Sequence, residues 1–134
     1  MLLLGSLYIP STTANARAPK NALSGQFYLT HVVKLYVPGT IHQSEPVDNT
    51  PYVDRALTRF STMFGGATAI NGTGGWVNDS GQLIKEKVTI VYSFTDKLTD
   101  QRIDEVVAYA KALKLEMTQS SVSLEVDGKL YFIQ

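Results

Sequence analysis

Phe64-Gly65-Gly66-Ala67-Thr68-Ala69-Ile70-Asn71-Gly72-Thr73-Gly74-Gly75-Trp76 holds five glycines and ends in the only tryptophan of a 134-residue chain. Glycine at this density lets backbone approach another group closely and permits positive φ angles. The run is expected to be a tightly bent or bulged strand packed under Trp76, or a cradle for a ligand. It also separates a helical pattern from a strand pattern, so its reading sets the order of the elements around it.

Upstream, Val53, Ala56, Leu57, Phe60, Met63 and Phe64 follow helical spacing and form one apolar stripe. Thr50-Pro51 opens that helix, with the threonine hydroxyl as the expected cap, and Gly65-Gly66 closes it. Further back, Phe27, Leu29, His31, Val33, Leu35 and Val37 alternate with Tyr28, Thr30, Val32, Lys34 and Tyr36. That period of two predicts a strand ended by Pro38-Gly39. Downstream, Asn78-Asp79-Ser80-Gly81 is a turn signal. Leu83 to Phe94 then reads as a long strand whose apolar face is expected to carry Ile84, Glu86, Val88, Ile90, Tyr92 and Phe94. Thr99 caps a second helix, with Leu98 and Ile103 placed as a staple across the cap. Its buried stripe is Ile103, Val106, Val107, Ala110, Leu113 and Met117. Val122 to Val126 and Lys129 to Ile133 flank Asp127-Gly128, a two-residue hairpin signal.

The order β-α-β-β-α-β-β predicts an α+β fold, a ferredoxin-like sandwich over residues 26–134. Residues 1–25 are expected to form an extended N-terminal arm, packed on its own subunit or on a neighbour. Two helices would cover one face of the sheet. The other face, for which Tyr28, Tyr36, Val91 and Tyr131 are the candidates, is too apolar for water and predicts a homo-oligomer.

Twelve basic residues balance twelve acidic ones. Overall charge therefore makes no case for nucleic acid or an anionic membrane as partner. The balance is uneven along the chain, since no acidic residue precedes Glu45: the first 44 residues carry +3 and the rest −3. Absence of cysteine excludes disulfides, thiolate metal sites and cysteine nucleophiles. No apolar run is long enough to span a bilayer. Leu2-Leu3-Leu4 and Ala14-Asn15-Ala16 faintly echo an export signal, but the n-region has no basic side chain, and Gly5, Ser6 and Pro10 break the apolar part. A cytoplasmic location is the expectation.

Gly74-Gly75-Trp76, Asp79-Ser80-Gly81 and Lys85-Glu86, followed by an apolar strand, resemble a family of small bacterial proteins of unknown function. Its members carry a G-x-W, a D-x-G turn and an [RK]-E pair. Met117-Thr118-Gln119-Ser120-Ser121-Val122 resembles the same family's approach to its last strand. The resemblance covers roughly residues 32–134. It implies a fold and no activity.

Three functions compete. The first is binding or sequestering of a small, anionic, nucleotide-like ligand, as compact phage and mobile-element proteins do. Its ligand would lie against Thr68, Asn71, Gly72, Thr73, Gly74, Gly75, Trp76 and Glu86. Arg55 and Arg59, one helical turn apart, would supply the positive charge. The second is an interaction module that works through the sheet face and the arm. The third is a small oligomeric enzyme with Glu86, Tyr92 and His31 as acid–base groups. Each residue also has a plainer reading: Glu86 satisfying loop amides, Trp76 in a core or interface, the arginines on a solvated helix face. Neither G-x-x-x-x-G-K-[ST] nor G-x-G-x-x-G occurs in the required context, and no G-x-S-x-G elbow is present. With two histidines and no H-x-x-x-H, neither a metal nor a cofactor is expected.

Overall fold

The computed structural model describes residues 20–134. The signal-like segment and the first part of the expected arm lie outside the described residues. The elements are β1 (His31–Pro38), the short pair β2 (Thr40–Ile41) and β3 (Glu45–Pro46), α1 (Thr50–Phe64), β4 (Thr68–Val77), β5 (Leu83–Thr95), α2 (Asp100–Glu116), β6 (Val122–Val126) and β7 (Lys129–Ile133).

Five strands form one antiparallel sheet in the order β4-β5-β1-β6-β7. Both helices pack on it, α1 over β5 and β4, α2 over β6 and β7. This is the ferredoxin-like α+β sandwich, with β7 as an added edge strand. Its core is one cluster: Val33, Leu35 and Val37 of β1, Val91 of β5, Val122 and Leu124 of β6, and the helical stripes including Phe60, Ala56, Val106, Ala110 and Leu113.

Local chemistry accounts for the element ends. α1 stops where Gly65 takes a left-handed conformation (φ 91°) and donates its N–H to Ser61 O at 2.8 Å. α2 starts where Thr99 Oγ1 accepts from Arg102 N at 3.1 Å. Asp127 and Gly128 both have positive φ, 49° and 85°, as a tight hairpin turn requires. The α1 start differs from expectation. Thr50 is its first helical residue and Asn49 the cap position. The Thr50 hydroxyl donates to Asp48 Oδ1 at 2.6 Å instead of capping an amide.

Two strand readings are corrected. β1 begins at His31, so Phe27 and Leu29 precede it. The glycine-rich run is a regular ten-residue strand. Its pairing with β5 is unbroken from Thr68↔Tyr92 to Val77↔Leu83, so it carries no bulge. Gly72, Gly74 and Gly75 have no positive φ.

The faces of β5 are reversed from expectation. β1 and β5 pair as Leu35↔Val91 and Tyr36↔Ile90. Leu35 and Val91 share the helix-covered face and are fully buried. Ile84, Glu86, Val88, Ile90, Tyr92 and Phe94 therefore lie on the open face, and Glu86 is exposed. Val91 does not belong to the open face, and Tyr131, opposite Leu124, is on the helix side at the edge. Of the expected open-face tyrosines, Tyr36 is there. It donates to Glu125 Oε1 at 3.1 Å, beside Lys34.

The hairpin turn is tied to the start of β1. Asp127 Oδ1 accepts from Val32 N at 3.0 Å, and Oδ2 meets His31 Nδ1 at 2.7 Å. The His31 bond first, and the Val32 amide second, hold the Asp127 carboxyl below the usual carboxylate range. A depressed folded-state value adds stability above the unfolded value, about pH 4, that is lost as pH falls through the folded one. Acid titration followed by NMR should show Asp127 titrating below a typical exposed aspartate, with a matching loss of stability below about pH 4. In Asp127→Asn that share of the acid sensitivity should be absent.

Candidate functional site

β5 overhangs β1. Pairing of the two ends at Pro38↔Val88, so the outer half of the β4–β5 hairpin projects past the sheet. The segment from Gly39 to Asn49 folds back beside this overhang. Gly39 N donates to Lys87 O at 3.0 Å. A Cβ at Gly39 would lie 2.5 Å from that oxygen, so only glycine permits the approach. The β2–β3 turn, with His42 and Gln43 at positive φ (49° and 74°), is held by its amides to Met117 O and Thr118 O. Gln119 Nε2 donates to Thr40 O at 2.9 Å.

Between this segment and the hairpin lie two adjoining cavities of about 530 and 620 Å³, which share Gly39, Val47, Asp48 and Lys87 as walls. Each is of the size that takes a small ligand. The first is lined by Asn71, Gly72 and Thr73 from β4, Thr89 from β5, and Asp48, Asn49 and Thr50 at the start of α1. A polar chain crosses its floor. Asn49 Nδ2 donates to Pro38 O and Thr89 Oγ1, each at 3.1 Å, and Thr89 Oγ1 donates to Asn71 Oδ1 at 3.0 Å. Thr89 is buried, so this chain is what makes a hydroxyl acceptable there. Asn49→Ala is expected to lower stability by about 1–3 kcal/mol, the cost of stranding a buried partner. An unchanged urea midpoint would mean that water replaces the amide.

The cleft carries both signs of charge. The Thr50 hydroxyl and then the Thr50 amide hold the Asp48 carboxyl below the usual range, so it is an anion at neutral pH. Lys87 stands on the opposite wall.

The structure brings some of the expected residues together and separates others. Asn71, Gly72 and Thr73 line the first cavity, and Glu86 borders the second. Thr68 borders a smaller hollow with Leu29 and Tyr92. Gly74, Gly75 and Trp76 lie farther out on the hairpin, outside both cavities. Arg55 lines neither cavity and grips Glu116 through both terminal nitrogens, at 3.1 and 2.8 Å. Arg59, four residues on, lines neither cavity. The acid–base trio is scattered. Six residues of strand, about 20 Å, separate Glu86 from Tyr92, and His31 is bonded to Asp127 at the other end of the sheet. Among the described residues, no three of His, Asp and Glu gather as a metal would need.

Sequence reading missed Gly39, Asp48, Asn49, Lys87 and Thr89. Asp48-Asn49-Thr50-Pro51 carried a usable signal, a dense polar run at a helix start, but it was absorbed by the helix.

Two solved structures share this fold. One, a phage SAM lyase in complex with S-methyl-5'-thioadenosine, superposes with a TM-score of 0.60 at 18% identity, over 83% of this chain and 96% of that one. The other, a phage SAM lyase in the apo state, gives 0.56 at 17% identity, over 79% and 90%. The chain matches no protein-family model and no curated protein in sequence. At such identities the likeness is one of fold. Among the described residues, no helix is long and apolar enough to cross a membrane.

Proposed function

We propose that this chain binds a small S-adenosyl compound, of the S-adenosylmethionine or methylthioadenosine kind, in the cleft between the Gly39–Thr50 segment and the β4–β5 hairpin. The observation that carries the reading is the lining of that cleft. Asn71 and Thr73 offer the amide and hydroxyl that a nucleoside needs. Asp48 and Lys87 offer one charge each for a ligand with an ammonium and a carboxylate. The fold likeness to a lyase that holds methylthioadenosine supports the same choice. Mixed charge moves the preferred ligand away from the purely anionic nucleotide expected from sequence, and Arg55 is already engaged by Glu116.

The test is calorimetry with methylthioadenosine and with S-adenosylmethionine. Binding is expected, weakened at least about tenfold, about 1.4 kcal/mol, in Asn71→Ala for both compounds and in Lys87→Ala for S-adenosylmethionine, with each variant shown to remain folded by its unfolding transition. Absence of binding by either compound would sink the reading.

A second reading, turnover, is favoured by the lyase activity of both fold neighbours. Here the methionyl Cγ–S bond of S-adenosylmethionine breaks and its electron pair goes to the positively charged sulfur, leaving methylthioadenosine. The four-carbon fragment either closes on its own carboxylate oxygen or gives up a Cβ proton, so neither water nor a cofactor is consumed. Chromatography of the incubated compound separates the readings: methylthioadenosine produced in proportion to enzyme and time means a lyase, and binding without product means sequestration. The reading also includes a homo-oligomer assembled through the open sheet face, where Ile70, Phe94, Leu130 and Phe132 are exposed together.

A further inference from the structure

The residues just before β1 present large apolar side chains to solvent. Leu23 is 65% exposed, Phe27 83% and Tyr28 71%. This segment has its own shape. Asn21 Oδ1 accepts from Leu23 N at 2.9 Å, Asn21 O from Ser24 N at 2.9 Å, and Leu23 O from Gln26 N at 3.0 Å. Three large side chains turned outward from a shaped segment are a surface made to be covered.

The open sheet face is a second such surface. It is largely apolar, with Glu125 met by Lys34 and Tyr36 near its centre and Glu86 toward the hairpin end. We propose that the N-terminal segment of one copy of this chain, the arm together with Phe27 and Tyr28, lies across the open sheet face of a second copy.

Three observations select this occupant. First, Phe27 and Tyr28 sit within a few residues of β1 and turn their side chains to solvent, not onto their own sheet. Second, charge is complementary. No acidic residue precedes Glu45, and Arg17 and Lys20 precede β1, whereas Glu86 stands on the face with no ion pair among the described residues. Third, the reach suffices. Nineteen residues precede Lys20, among them Leu2-Leu3-Leu4 and Leu7-Tyr8-Ile9. Extended, they cover up to about 60 Å, against about 20 Å across five strands. Because arm and face are different surfaces, the contact is reciprocal in a dimer that exchanges arms, or runs head to tail around a ring.

The inference rests on the homo-oligomer part of the reading above and is independent of the ligand. The test is native mass spectrometry on full-length chains: wild type, an arm variant (Phe27→Asp with Tyr28→Asp) and a face variant (Ile70→Asp with Phe132→Asp). All four positions are exposed, and unfolding midpoints check that each variant folds. Wild type is expected to assemble. Each variant alone should assemble at least tenfold more weakly. An equimolar mixture should recover a heteromer, because it retains one intact arm and one intact face. A wild-type oligomer whose arm variant still self-assembles would overturn the arm proposal and leave the homo-oligomer standing. A monomeric wild type would overturn both, and a lowered midpoint in its arm variant would then mean that the arm packs on its own subunit.

Discussion

Phe60→Ala is expected to destabilise the protein by about 3–5 kcal/mol, the largest effect of any single truncation in the core. Phe60 is the largest of the fully buried side chains. Its ring meets Phe64 edge-on, with centroids 5.6 Å apart, so truncation loses an aromatic pair as well as buried area. The void would open between α1 and the sheet, where β1 and β5 supply Leu35 and Val91 and cannot close in without breaking their register. Domains of this size have a total stability of about 5–15 kcal/mol. The variant should therefore unfold at much lower urea, with an m-value like that of wild type. A loss below about 1 kcal/mol, far under the usual range, would mean that α1 settles into the gap and that this core is less fixed than its burial implies.

Gly39→Ala is expected to be the second largest change, and it should act on stability and on ligand together. The added methyl carbon would lie 2.5 Å from the backbone oxygen of Lys87 and 3.0 Å from its carbonyl carbon. Backbone atoms cannot rotate away, so β5 and the Gly39–Thr50 segment must part. The hydrogen bond from Gly39 N to Lys87 O stretches with them. A cost of about 1–3 kcal/mol follows from comparable overpacking. Gly39 and Lys87 are walls of both cavities, so the ligand affinity proposed above should fall as well. Gly74→Ala is the control. Its Cβ would meet only Glu86 O, at an ordinary 3.8 Å. A strand conformation open to any residue makes that change neutral, or stabilising by up to about 1 kcal/mol. Equal losses at the two sites would show that glycine's role here is general flexibility and not close approach.

This contrast marks where the sequence could be read and where it could not. α1, α2 and the last hairpin were legible because their signals are local: apolar stripes, Thr99, Gly65 and Asp127-Gly128 act within a few residues. The inward face of β5 was not. Both of its faces carry apolar side chains, and the more apolar one, from Ile84 to Phe94, is the open one. The buried face takes Thr89 and Ser93 because each finds a partner far along the chain. Ser93 Oγ donates to Gly66 O at 2.6 Å, and Thr89 is joined to Asn49 and Asn71. Only the register of β1 against β5 decides the matter, and register is non-local. The cleft was half legible for the same reason. Asn71 to Thr73 stood out for their glycines, whereas Asp48 and Asn49 reach the site only through the return of the chain beside Lys87.

The place of β1 in the middle of the sheet bears on how the molecule is made. Among the described residues it is the first long strand to be synthesised, yet both of its neighbours come much later. Its ties to the final hairpin join residues 89 and 95 positions apart, at Tyr36–Glu125 and Val32–Asp127. Such distant pairings slow folding, because loop closure must precede the contacts that reward it. On the ribosome Val33, Leu35 and Val37 wait without a partner until β5 has emerged, and the sheet is complete only when β6 and β7 have emerged as well. Emergence of the β6–β7 hairpin, more than the synthesis of any earlier element, is then the event that permits the native state.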